Sequence, residues 1–258
     1  MIQSLNPSSH LPQSVLSFPH PMLRSAFIII FLSLYTLLLG PPLILITVLT
    51  GSVGLLYGTG LRGVMFCVRA VGVRIVVSGL ENIPPGVCLF VANHTSSADA
   101  PAVVGAIPRR ISILVKESLF KIPLVGWVFH LARFVPVDRS DRDAAIASVD
   151  RAIEYMRAGT SFLIYPEGTR SNDGRLGPFK KGAFVLAIKA GVPIVPVACA
   201  GAHRVMAKRS LIVRPGVITV HFAPPIDAST YTLEERDALT ARIHTALAAA
   251  LPPDQQPL

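Results

Sequence analysis

The sequence predicts an α/β fold, a mixed and largely buried β-sheet flanked by helices, with an apolar helical hairpin ahead of it. Three observations carry this reading. Residues 26–58 hold no charged side chain, a run longer than the roughly 20 apolar residues a membrane-crossing helix needs. Beyond Arg62, short apolar runs alternate with helically periodic stretches, the pattern of a layered α/β domain. Most of those runs are apolar at every position rather than every second one, as in strands covered on both faces. Composition agrees: 51% hydrophobic and 15% charged residues, where soluble domains carry about 25% charged. With a mean hydropathy of +0.55, the chain is suited to lipid contact and too apolar for global disorder. Its 258 residues make one sizeable domain with a short extension. Cys67, Cys88 and Cys199 are scattered, odd in number and set in apolar runs, so they read as reduced core thiols without zinc spacing.

Taken in order, residues 1–24 are rich in Ser, Pro and His and read as a disordered tail. Residues 25–61 form the membrane-docking hairpin. Its break is expected at Gly40-Pro41-Pro42, because tandem prolines remove amide donors and clash with the preceding turn. The halves 26–39 and 43–57 then reach only about 21–23 Å, short of the ~30 Å hydrocarbon core. A shallow re-entrant hairpin is therefore expected, with one kinked span as the alternative. A cleaved secretory signal has a shorter apolar region, about 7–15 residues. Arg24 precedes the run and Arg62, Arg69 and Arg74 follow it, a basic bias that places the remainder on the cytoplasmic face of the cytoplasmic membrane.

The domain proper spans 62–251, with a tail at 252–258. Strands are expected at 73–77, 87–92, 111–116, 134–137, 162–165, 194–198 and 218–222. Ile146, Val149, Ile153 and Met156 recur at helical spacing before Gly159, a C-cap candidate. A second helix, 184–190, is stopped by Gly191. A third begins near Thr232, with Glu235 completing a capping box, and ends before Pro252-Pro253. Gly58, Gly60 and Gly63 spell G-x-G-x-x-G with Glu81 further on, but a nucleotide-binding fingerprint needs a strand before it, and a membrane run stands there instead.

Chemistry concentrates after two of the strands. The charge balance of 24 Lys and Arg against 15 Asp and Glu, +9 in total, suits an anionic partner: nucleic acid, phospholipid headgroups or a phosphorylated substrate. Nucleic acid is disfavoured because no basic-aromatic module is present. Strand 87–92 runs into Asn93-His94-Thr95-Ser96-Ser97-Ala98-Asp99. A carboxylate five positions after a histidine can fix the imidazole tautomer and leave its other nitrogen to accept a proton from an alcohol. The alternative is a histidine satisfied locally in a turn. Ser96 and Ser97 lack a G-x-S-x-G elbow, and two ligands fall short of a zinc site. The second constellation is Tyr165-Pro166-Glu167-Gly168-Thr169-Arg170-Ser171, where Arg170 offers a planar fork for phosphate and Gly168 permits close backbone approach. Its alternative is a turn bearing a surface arginine. Lys180 and Lys181 follow, and Lys116 and Arg139 stand at other strand ends. In open sheets ligands collect beyond the strands' carboxyl ends, where these groups can meet one anionic acceptor.

Together these segments resemble the 1-acylglycerol-3-phosphate acyltransferases among the glycerolipid acyltransferases. The block from Asn93 to Asp99 is similar to that family's N-H-x-x-x-x-D motif. Pro123-Leu124-Val125-Gly126-Trp127 with 134–139 resembles its second block, 162–170 its F-P-E-G-T-R-S block with Tyr165 before the proline, and Val192-Pro193-Ile194-Val195-Pro196-Val197 its fourth. Residues 77–84 resemble the lead-in strand and turn. Where many members have Lys-Lys-Glu-Leu, this chain has Lys116-Glu117-Ser118-Leu119, so no role is assigned to Glu117. The resemblance implies a glycerolphosphate acyltransferase-like fold and catalysis by His94 and Asp99. It places Lys116, Arg139, Glu167, Gly168, Thr169 and Arg170 on the substrate. It further implies transfer of an acyl group from a coenzyme A or acyl carrier protein thioester to lysophosphatidic acid, giving phosphatidic acid at a phospholipid membrane, with no cofactor, metal or acyl-enzyme. Another lysolipid, such as a lyso-aminolipid, or glycerol-3-phosphate is the alternative acceptor. A non-catalytic lipid-binding membrane protein is the alternative from another class.

Overall fold

A computed structural model describes residue 18 and residues 20–138, 141–180 and 183–257. Most of the expected N-terminal tail lies outside the described residues, and helix begins already at Pro21. The chain opens on α1 (Pro21–Thr50) and α2 (Gly54–Ala70). The two form a hairpin, but its reversal is not at Gly40-Pro41-Pro42. Both prolines sit inside α1. Their ring-fixed φ is compatible with helix, and the donors they lack cost two backbone bonds without forcing a turn, a tolerance seen in apolar helices. The stop comes at Gly51, whose left-handed φ of 67° lets its amide close on the Thr47 carbonyl at 2.9 Å. The length argument for a re-entrant loop therefore fails. At 1.5 Å per residue α1 is about 45 Å long, and it is long and apolar enough to cross a membrane, with a mean hydropathy of 2.3.

α2 packs back on α1 through an aromatic and small-residue seam. Phe31 meets Phe66 at 5.0 Å between ring centroids, and the Tyr35 hydroxyl donates to the Thr59 carbonyl at 3.0 Å. The Tyr35 ring lies where a Cβ on Gly63 would come within 2.6 Å of it. Gly58, Gly60 and Gly63 are thus interior helix residues, without the strand and turn a nucleotide site requires.

Seven strands follow: β1 (Val73–Ser78), β2 (Leu89–Ala92), β3 (Ile111–Lys116), β4 (Val135–Val137), β5 (Ser161–Ile164), β6 (Ile194–Ala200) and β7 (Gly216–Phe222). Each expected apolar run is a strand, with ends shifted by at most two residues. They form one sheet in the order β1-β7-β6-β2-β5-β3-β4. Every neighbouring pair is parallel except β6 and β7, which are antiparallel, so the sheet is mixed.

The pleat of β2 divides the core. Leu89 and Val91 face a layer built with Ile153, Met156, Leu186, Leu239, Ile243 and Leu247, from α5 (Arg142–Arg157), α6 (Val185–Ala190) and α8 (Arg236–Ala250). Phe90 and Ala92 face Ala102, Val103 and Val205, from α3 (Asp99–Ala106) and α7 (Ala202–Val205), with Phe27, Ile28 and Val68 of the hairpin packed against that layer. Covering on both faces is why the strands lack alternation. α3, α7 and α4 (Val125–Leu131) are about two turns or fewer and leave no readable period. α8 starts at Arg236 rather than near Thr232, because the Glu235 carboxylate accepts the Thr232 amide at 2.9 Å and closes a separate turn ahead of the helix. Residues 252–257 are not loose: Gln255 is buried and accepts the Gly201 amide at 2.8 Å.

Candidate active site

β2, β5 and β6 run parallel in register, Val91 beside Ile164 and Ala92 beside Val197, so their carboxyl ends open at one level. β2 delivers Asn93 and His94 there, and β5 delivers residues 165–171. Asn93 is fully buried and clips the β2 end to β6 in both directions. Its side-chain nitrogen donates to the Cys199 carbonyl at 2.9 Å, and its side-chain oxygen accepts the Cys199 amide at 2.8 Å.

His94 Nδ1 lies 3.0 Å from Asp99 Oδ2, with the histidine side chain 18% exposed and the aspartate sealed from solvent. The same carboxylate oxygen accepts the amides of Thr95 at 2.6 Å and Ser96 at 2.7 Å. Its other oxygen accepts the Thr95 hydroxyl at 3.3 Å and the Cys199 thiol at 3.6 Å. Because the groups facing this carboxylate all donate to it, Nδ1 carries the imidazole proton and Nε2 the lone pair. Neither serine of the loop is a nucleophile for this histidine. Ser96 Oγ donates to the Met206 carbonyl at 2.6 Å, and Ser97 Oγ accepts Arg170 Nη1 at 2.5 Å.

The β5 loop is stitched to the β2 loop through Glu167. Its Oε1 accepts the His94 amide at 2.7 Å and its Oε2 the Gly177 amide at 3.3 Å, while the Ser171 amide donates to the His94 carbonyl at 2.8 Å. Glu167 is only 7% exposed. Burial pushes its carboxyl up to about 7, the two amides opposing and the nearby Asp99 and Asp173 charges adding to the rise. This carboxylate, expected on the substrate, accepts two backbone amides in the structure.

The remaining expected residues are placed as follows. Arg170 reaches back to Ser97, and Lys208 Nζ donates to the Arg170 carbonyl at 2.5 Å and to Asn172 Oδ1 at 2.7 Å. Gly168 has φ of 71° and lies against Lys180, whose Cε would be 2.6 Å from an added Cβ. Thr169 is exposed in the same loop. Lys116 is exposed at the end of β3, two strands from β2 in the sheet order, and no described contact ties it to the His94 cluster. Arg139 and Lys181 lie outside the described residues. Asn93, Cys199 and Lys208 escaped the sequence reading. Asn93 was within sight as the neighbour of His94, but its partner is 106 positions away. No group of three or more His, Cys, Asp or Glu side chains among the described residues is placed to hold a metal ion.

Tyr165 stacks on His94, ring centroids 4.2 Å apart and planes 26° from parallel, yet its buried hydroxyl has no hydrogen-bond partner among the described residues. Tyr165→Phe keeps the stack and removes the unpaired group, so it is expected to stabilise the protein by about 1 kcal/mol, read as a melting temperature higher by roughly 2–4 °C. A lower melting temperature would mean that the hydroxyl is bonded.

Apolar space adjoins this cluster on the hairpin side. A cavity of about 510 Å3 is enclosed by α1, α2, α3 and α4, including Tyr35, Gly40, Val104 and Phe129. A second, of about 220 Å3, runs from Ile29 and Leu211 to Ser97 and Ala98.

Comparison with known proteins gives the same picture. The acyltransferase family model matches residues 74–200. A 1-acyl-sn-glycerol-3-phosphate acyltransferase of Limnanthes douglasii is 35% identical over 206 residues, 80% of this chain and 72% of the relative. One from Pseudomonas aeruginosa is 33% identical over 158 residues, 61% of each chain. The crystal structure of the 1-acyl-sn-glycerophosphate acyltransferase of Thermotoga maritima superposes with a TM-score of 0.75 at 25% identity, covering 89% of this chain and 95% of that one. With the sheet, the order of its motifs and this extent of similarity all pointing one way, the chain belongs to the acyltransferase family.

Proposed function

We propose that the chain transfers a fatty acyl group from an acyl thioester to the free hydroxyl of lysophosphatidic acid, forming phosphatidic acid. The observation that carries this is the His94–Asp99 pair, fixed beyond the end of β2 with the Arg170 guanidinium against the same loop. Nε2 of His94 takes the hydroxyl proton as the oxygen attacks the thioester carbonyl, and Asp99 stabilises the imidazolium that forms. Collapse of the tetrahedral adduct breaks the carbon–sulfur bond, and the imidazolium proton goes to the departing thiolate. A thioester is already activated, so no acyl-enzyme is needed.

Arg170 faces a neutral serine hydroxyl, which an entering phosphate replaces with a charge-assisted pair. The hairpin cavity of about 510 Å3 is suited to an acyl chain. The apolar hairpin and its basic flanks support action at a phospholipid membrane with the domain on the cytoplasmic face, using coenzyme A or acyl carrier protein as the thioester carrier.

The test is mass spectrometry of products from the purified full chain in phospholipid vesicles, offered a panel of lysolipids and glycerol-3-phosphate with acyl-coenzyme A or acyl carrier protein. Phosphatidic acid is the expected product, and product from another acceptor alone overturns the reading. Arg170→Ala is expected to raise the acceptor KM or lower acceptor kcat/KM by roughly 10- to 150-fold, the equivalent of one lost charge-assisted contact. An equal loss toward the donor would remove Arg170 from the phosphate role.

A further inference from the structure

Beyond the His94 cluster lies one strongly charged surface. It is an open cleft of about 580 Å3 whose walls include Arg170, Asn172, Arg175, Lys208 and His244. His244 belongs to α8, which packs on the sheet face opposite the hairpin, so the cleft extends from Lys208, set between the Met206 and Leu211 that line the smaller apolar cavity, to the α8 side. We infer that this cleft binds the phosphate of the donor's 4′-phosphopantetheine arm, the group that coenzyme A and acyl carrier protein share; this rests on the transfer reaction proposed above.

The Arg170 guanidinium is turned toward Ser97, which leaves Lys208 and Arg175 as the cations of the cleft. Lys208 Nζ spends two of its three protons on the Arg170 carbonyl and Asn172, and Arg175 uses one of its five donors on the Gln256 carbonyl at 3.1 Å, so both keep donors for a ligand. Of the two acids on the wall, Glu167 is buried and turned onto backbone amides, and Asp173 keeps its charge while bound by the Ser171 hydroxyl and the Arg175 amide, so Lys208 and Arg175 stand as two cations against one exposed carboxylate. The balance favours an anion.

Two anionic groups enter the reaction. The acceptor's phosphate is tied to an acyl chain by a short glycerol backbone, and apolar room adjoining Ser97 lies on the hairpin side. The donor's phosphate is separated from its acyl group by the whole hydrophilic pantetheine arm. With the acyl chain on the hairpin side and the thioester at His94, that arm leads away from the hairpin, toward the Arg175 and His244 end of the cleft.

The experiment measures KM for palmitoyl-coenzyme A, palmitoyl-acyl carrier protein, S-palmitoyl pantetheine, which lacks the phosphate, and lysophosphatidic acid, using the full chain in vesicles. Arg175→Gln is the decisive variant because its side chain bonds Gln256 rather than Arg170; Lys208→Gln is the second. Each is expected to raise KM several-fold for both phosphate-bearing donors, and the pair together roughly tenfold. For Arg175→Gln, KM for lysophosphatidic acid and the already poor use of S-palmitoyl pantetheine should stay within twofold. A rise confined to the acceptor, an equal rise for S-palmitoyl pantetheine, or a rise for coenzyme A alone overturns the inference. Failure of the underlying reaction is separately visible, because the wild-type chain would then form no phosphatidic acid with any donor.

Discussion

His94→Ala is expected to lower turnover by at least about 10²–10⁴-fold, the range contributed by a positioned general base, while the protein stays folded. The imidazole sits beyond a strand end with 18% of its side chain exposed, so its removal costs the Tyr165 stack, about 1 kcal/mol, and opens no core cavity. Turnover of the purified variant near the wild-type rate would end the base mechanism. Asp99 behaves differently because it is structural as well as catalytic. Asp99→Asn sets its NH2 group either against His94 and the Thr95 and Ser96 amides together or, flipped, against the Thr95 hydroxyl and the Cys199 thiol, so it is expected to lose both stability and rate.

The second large effect is expected at Glu167. Glu167→Ala leaves the buried amides of His94 and Gly177 without acceptors, at about 1–3 kcal/mol each. Because one of them is the His94 backbone itself, the base shifts, and a displacement on the order of 1 Å can cost ~10²-fold in rate. Glu167→Gln retains one acceptor oxygen and should fall between. The loss should appear in kcat with acceptor KM little changed, the mark of a positioning residue; a change in acceptor KM alone would instead make Glu167 a substrate ligand.

The same carboxyl gives a pH signature. Its pKa is raised from 4.5 to about 7 in the folded protein, so between those values the folded state holds a proton that the unfolded state has released. Stability from this group is full below about pH 4.5 and declines as pH rises to about 7, by up to on the order of 3 kcal/mol. Thermal melts at pH 5 and 7.5 should therefore show a smaller decline for Glu167→Gln than for the wild type. Parallel declines would place the carboxyl's titration elsewhere.

Much of this architecture was legible because it rests on local chemistry. Strands buried on both faces announce themselves as continuous apolar runs, and His94 and Asp99 sit within a single turn. What stayed hidden depends on contacts across the chain. Glu167 was visible as an acid in a loop, but its service to the His94 amide depends on β5 lying beside β2. The Asn93–Cys199 clip and Lys208 beneath Arg170 follow from strand order, which no periodicity encodes. The hairpin reversal departs from expectation for a different reason: tandem prolines break a helix in water, whereas an apolar helix accommodates them and the left-handed Gly51 makes the turn.

The sheet order also bears on how the chain is made. β1 follows the hairpin after a two-residue turn, but its sole neighbour is β7, Val73 pairing with Gly216. On a ribosome adding about 5–20 residues per second, β1 waits on the order of ten seconds for that partner. Throughout that interval the nascent domain has an open strand edge, while the hairpin that precedes it has already emerged and can engage lipid. Early capture of the hairpin would keep such half-made chains dispersed on a surface rather than edge to edge in solution.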